Sequence, residues 1–219
     1  MSKELINENY YLVSVGLILL AFVVFFFSYE RRKPQAREMV TLSVMSAIAI
    51  ASRAAFAMIP FFKPMSGIIM ITGMAFGPGA GFLTGVVSGF VSNFIFGQGP
   101  WTPWQMFAYG VGGALAGWLY KKNIMHEGLR LQTALVGYVI VQLVVGPLLD
   151  ICAIFTMGQP VTGTYAIAIF GSGLIPNLIH GVATALTLLL LAKPMMEKLN
   201  RMKIKYGMMS GDSGEWQDV

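Results

Sequence analysis

The chain has 219 residues, of which 56% are hydrophobic and only 11% charged, with a mean hydropathy of +0.67 and a formal net charge of +5. Soluble domains carry about 25% charged residues, so this composition excludes a soluble globular protein and describes an integral membrane protein with no sizeable soluble domain. In such a chain a basic surplus reflects cytoplasmic flanks rather than nucleic-acid binding, and the single Cys152 can form neither an intrachain disulfide nor a paired-thiolate metal site.

A helix needs about 20 residues to cross the ~30 Å hydrocarbon core of a bilayer. The first apolar run, residues 10–27, has no small-residue cleavage site after it and is followed by the basic stretch "SYERRKPQAR". It reads as a retained transmembrane helix rather than a signal peptide. Further runs occupy residues 38–60, 67–76, 80–96, 103–120, 131–156 and 171–192. Between the third and fourth stands "FGPGAG", where Pro78 lacks a donor and the glycines are permissive, so a break and a kink are both tolerated there.

Charge distribution favours the break. It gives seven spans with the N-terminus outside and places twelve of the fifteen basic residues on the cytoplasmic side, with Lys3 and Lys63 outside and Arg53 within a span. The run 67–76 would then be only ~15 Å long at 1.5 Å per residue. It has to tilt, borrow flanking residues or shelter behind neighbours, and Gly77, Gly79, Gly81, Gly85 and Gly89 favour close helix packing there.

This threading gathers the conspicuous polar residues in the outer half of the membrane: Arg53, Asn93, Gln105, Asp150, Asn177 and His180, with Gln142 nearer the middle. Charged groups at membrane depth face a partner or a cavity. Arg53 and Asp150 are therefore either counter-ions of one another or ligand contacts. His180 suits an interhelical hydrogen bond as well as a ligand role.

The outer loop "FGQGPWTPWQMF", residues 96–107, combines permissive Gly97 and Gly99 with stiffening Pro100 and Pro103, and Thr102 is placed as an N-cap. Trp101 and Trp104 suit the aromatic belt at a membrane interface. Flanked by Gln98 and Gln105, they also offer flat apolar faces and amide hydrogen bonds to an organic ligand. In the span 38–60, Ser43, Ala47, Ala51 and Ala55 recur every fourth residue and draw a smooth stripe on one helical face, open to close approach by another helix.

The stretch "AREMVTLSVMSAIAIASRAAFAMIPFFKPMSGIIMITGMAFGPGAGFLTGVVSGFVSNFIFGQGPWTPWQMFAYGVGGALAG", with its "FxPxxxIxxxxG" and "GQGPWTPWQM" segments, resembles the substrate-binding S components of energy-coupling factor (ECF) transporters. The resemblance implies an all-α, six-helix membrane domain over residues 38–196 that binds a vitamin or related micronutrient near the outer face. It also implies partners, a transmembrane coupling protein and two ATPase subunits, with Ala47, Ala51 and Ala55 matching the small-residue signature that docks the coupling protein. ATP is used by those partners. This chain carries no phosphate-binding GxxxxGK[ST] loop, no His or Cys cluster with metal-ligand spacing and no sign of enzyme chemistry.

The helix within residues 1–37 is an addition to the family pattern, and residues 197–219 form a tail that begins basic and amphipathic, suited to anionic lipid headgroups, and ends polar and acidic, expected to be disordered. Arg53, Asn93, Gln98, Trp101, Trp104, Gln105, Asp150, Asn177 and His180 are the expected ligand-site residues, and the reading leans to cobalamin or a related precursor as substrate. A stand-alone secondary transporter with an Arg53–Asp150 proton relay, or a membrane scaffold without a small ligand, are the alternatives.

Overall fold

The computed structural model describes Gly16, Leu20, Val23 and residues 36–126, 128–157 and 162–207. The expected first span, residues 10–27, thus falls outside the described residues apart from those three isolated positions, and so does the polar end of the tail. The described chain is all helical: α1 (Ala36–Ala55), α2 (Met65–Phe76), α3 (Pro78–Phe96), α4 (Thr102–Lys121), α5 (Arg130–Thr156) and α6 (Gly163–Tyr206). Four of them, α1, α3, α5 and α6, are long and apolar enough to cross a membrane. α4 coincides with the expected span 103–120, but Gln105 and four glycines make it less apolar.

The break at "FGPGAG" is real and sharp. Gly77 adopts φ 93°, which a side chain rarely tolerates, and Pro78 opens α3 in its first turn, where a missing N–H costs nothing. The twelve residues of α2 are all buried. At about 1.5 Å per residue this helix cannot span a bilayer, and it does not need to. It lies inside the protein, packed by α1, α3, α4 and α6, so lipid never meets its unpaired ends.

Glycines set how closely those neighbours approach. A Cβ built on Gly81 would lie 2.7 Å from the Gly73 Cα, and one on Gly117 would lie 2.6 Å from the Gly73 carbonyl oxygen. On α3, Gly85 meets the α4 backbone at Tyr109 and Gly110 in the same way. Backbones in van der Waals contact replace the hydrophobic drive that lipid cannot supply.

Two helices carry proline-induced irregularities. Pro147 cannot donate to the carbonyl four residues back, and α5 accommodates this with a π turn at Val141–Val145, in which the Gly146 N–H bonds the Val141 carbonyl. α6 keeps Pro176 and Pro194 inside 44 continuous residues, opens on a Thr162 hydroxyl that accepts from the Tyr165 N–H, and closes on left-handed Gly207. It therefore runs past the expected start of the tail at residue 197. Met196 and Leu199 are buried, and Lys203 Nζ donates to the Ala75 carbonyl at the end of α2, 2.8 Å away.

All helices alternate in direction, so the ends of α1 and α3 and the starts of α2, α4 and α6 meet at one end of the bundle. Arg37, Lys121, Lys122, Arg130, Arg201 and Lys205 lie toward the other. A Gly81→Val substitution should force α2, α3 and α4 apart and cost roughly 1–3 kcal/mol through overpacking, read as a lowered unfolding temperature in detergent. An unchanged transition would contradict the close packing.

Candidate functional site

The polar residues collected at the Arg53 end form two connected pieces. The first is a network around Asn93, which is fully buried on the last turn of α3. Arg53, 8% exposed in the last turn of α1, donates Nη1 to Ser92 Oγ at 2.5 Å and to Asn93 Oδ1 at 3.0 Å. Its guanidinium also lies 4.4 Å from the centroid of the Phe96 ring, a cation–π contact that partly replaces lost water. Asn93 spends both amide hydrogens, on Thr102 Oγ1 at 3.1 Å and on Gln105 Oε1 at 2.9 Å.

Thr102 completes the network but does not act as the expected N-cap. Its hydroxyl donates to Gln98 Oε1 at 2.8 Å and accepts from the Gly99 N–H and Asn93 Nδ2, while Trp101 occupies the cap position without a side-chain bond. Gln98 Nε2 in turn donates to the Phe90 carbonyl at 3.0 Å. The loop after α3 is thereby stitched to the helix it leaves and the helix it enters. Gly97 turns the chain at φ 99°, and Gly99 leaves room for the Trp101 indole, whose ring lies 2.5 Å from where a Cβ would be.

The second piece is a cavity of about 300 Å³, at the lower end of the range of small-molecule sites. Trp101 and Gln105 of the loop–α4 junction, Asp150 of α5, and Asn177 and His180 of α6 line it, five of the nine expected ligand residues. Asn177 Nδ2 donates to Asp150 Oδ2 at 2.8 Å. His180 Nε2 shares a 2.7 Å hydrogen bond with Ser66 Oγ at the start of α2, and its ring meets Tyr109 edge-on.

The other four expected residues do not line the cavity. Arg53 and Asn93 stand behind Gln105 in the network, and Gln98 is exposed on the loop and holds Thr102. Trp104 is buried, stacked on Phe155 at 6.0 Å and next to Cys152, with its indole N–H unbonded. Arg53 and Asp150 are not counter-ions of each other: Arg53 is bonded to the Ser92 hydroxyl and the Asn93 amide, and Asp150 to the Asn177 amide. The stripe Ala47, Ala51 and Ala55 lies exposed along α1.

Sequence reasoning passed over Lys63 and Phe61, which reach the cavity from the loop 56–64, where Phe61 takes φ 63°. The "PFFKP" segment, residues 60–64, placed a cation between two prolines just before a helix start, and that was the available signal. The apolar wall, Leu149, Ala153 and Pro176 among others, carried none. Among the described residues no group of three or more His, Cys, Asp or Glu side chains could hold a metal ion.

Asn93 is the hub whose loss the network cannot absorb. Asn93→Leu strips partners from Arg53, Thr102 and Gln105 at once, and loss of the bond to the charged group alone should cost about 1.5–3 kcal/mol, measurable as a fall in thermal stability in detergent. Wild-type stability in that variant would show the network to be dispensable.

A family model described as "ECF-type riboflavin transporter, S component" matches residues 33–197. No curated protein and no solved structure matches the chain. The match names riboflavin, so the lean toward cobalamin is without support. With well over half its length covered, network and cavity included, the chain belongs to the ECF-type S-component family and is a multi-pass membrane protein, the substrate-specific subunit of a transporter.

Proposed function

We propose that this chain captures riboflavin or a closely related flavin in the cavity at the Arg53 end and delivers it inward as part of an ATP-driven importer. The match of residues 33–197 to the riboflavin S-component family carries the reading. The chemistry of the cavity supports it: one broad indole face from Trp101, amides from Gln105 and Asn177, and the charged groups of Asp150 and Lys63. A flavin brings a flat heteroaromatic ring rimmed with hydrogen-bonding groups and a polyhydroxyl chain, so it needs both kinds of wall.

In this reading the cavity end faces outward. The basic residues at the opposite end then lie in the cytoplasm, as the positive-inside tendency favours. Transport energy comes from partner ATPases, because S components are not an enzyme family. The exposed Ala47, Ala51 and Ala55 on α1 are the proposed docking surface for the coupling protein, since small side chains let a second helix approach closely.

Purification in detergent from the native host, followed by mass spectrometry of the small molecules and proteins that accompany the chain, tests this directly. A flavin at about one per chain, together with a coupling protein and ATPases, is expected. A different vitamin would overturn the substrate assignment. Ala51→Trp should sharply reduce recovery of the coupling protein, and full recovery would remove α1 as the docking face.

A further inference from the structure

Asp150 and Asn177 meet across α5 and α6 with reciprocal packing. Four residues before each stands a glycine, Gly146 on α5 and Gly173 on α6, and each glycine faces the other helix's polar side chain. A Cβ on Gly146 would lie 2.7 Å from the Asn177 Cγ, and one on Gly173 would lie 2.7 Å from the Asp150 Cγ. Gln142, in the π turn of α5, donates Nε2 to the Asn177 carbonyl at 3.1 Å and holds the backbone of α6 in register. A carboxylate and an amide are thus fixed from three sides at one wall of the cavity.

Helix packing alone does not require a carboxylate, which is expensive at membrane depth. Asp150 accepts one hydrogen bond, from Asn177, although its two oxygens can accept about four. Asn177 keeps its second amide hydrogen, and Gln105, whose oxygen is taken by Asn93, keeps Nε2 as a donor. The cavity wall therefore offers one anionic acceptor together with two amide donors. The pyrimidinedione edge of a flavin presents the complement: a ring N–H between two carbonyl oxygens.

Building on the flavin reading, we propose that Asp150 accepts the ring imide N–H while Asn177 and Gln105 donate to the flanking carbonyls. Gly146, Gly173 and Gln142 act as positioning residues that touch no ligand but hold Asp150 and Asn177 in place. The site thus selects for an unsubstituted imide, and its selectivity depends on the α5–α6 register.

The test compares riboflavin with N3-methylriboflavin, followed by flavin fluorescence quenching on the full chain in detergent. The wild type should prefer riboflavin by about ten- to a hundredfold, the range for a hydrogen bond to a charged group. Asp150→Ala should weaken riboflavin while sparing the methylated analogue, so the ratio approaches one. Gln142→Leu should narrow the same ratio without touching the cavity, whereas a merely structural role would weaken both flavins equally and leave the ratio intact. Equal wild-type affinity for the two flavins, or an unchanged ratio in Asp150→Ala, overturns the imide assignment while leaving the flavin reading standing. Wild-type protein that binds neither flavin overturns both.

Discussion

A guanidinium buried among apolar helices has to be solvated by protein, and the arrangement of this molecule follows from how Arg53 is satisfied. Ser92, Asn93 and the Phe96 ring supply what water would. Because Asn93 also binds Thr102 and Gln105, the charge at the end of α1 ties three helices and the intervening loop into one unit. That unit forms the rear support of the cavity. It fixes Gln105 and, through Gln98 and Gly99, the loop that carries Trp101.

The second constraint is the shortness of α2. A helix of twelve residues can sit within a membrane protein only if others cover both its ends. Glycine contacts with α3 and α4 cover its flank, Lys203 bonds its final turn, and His180 bonds Ser66 in its first. The same device recurs between α5 and α6, where Gly146 and Gly173 make room for the Asn177 and Asp150 side chains rather than for backbone. Small residues thus serve two ends here, packing helices and seating polar groups.

Much of this was legible in the amino-acid order. Apolar runs located α1 to α6, the Gly77–Pro78 pair marked a genuine break, and alternation of direction brought Arg53, Asn93, Asp150, Asn177 and His180 to one end. What the sequence did not reveal depends on rotation and register. Arg53 and Asp150 sit at similar depth, yet they bond to different helices, and no spacing rule distinguishes those outcomes. Trp101 and Trp104 stand three residues apart, but Trp101 lines the cavity whereas Trp104 packs against Phe155. The 44-residue length of α6 was hidden because Pro194 and the basic residues after it mark an exit from the membrane, which the helix outlasts.

The central claim, that the cavity between α4, α5 and α6 receives a flavin, is tested most directly by filling it. Ala153 lines the cavity and takes no part in the hydrogen-bond network, so Ala153→Trp occupies the space while leaving Arg53, Asn93 and Asp150 their partners. Riboflavin titrated into purified wild-type protein should be quenched at one equivalent, and the same titration of Ala153→Trp with unchanged thermal stability should show no saturable quenching. Undiminished binding by the filled variant would place the ligand elsewhere and contradict the account.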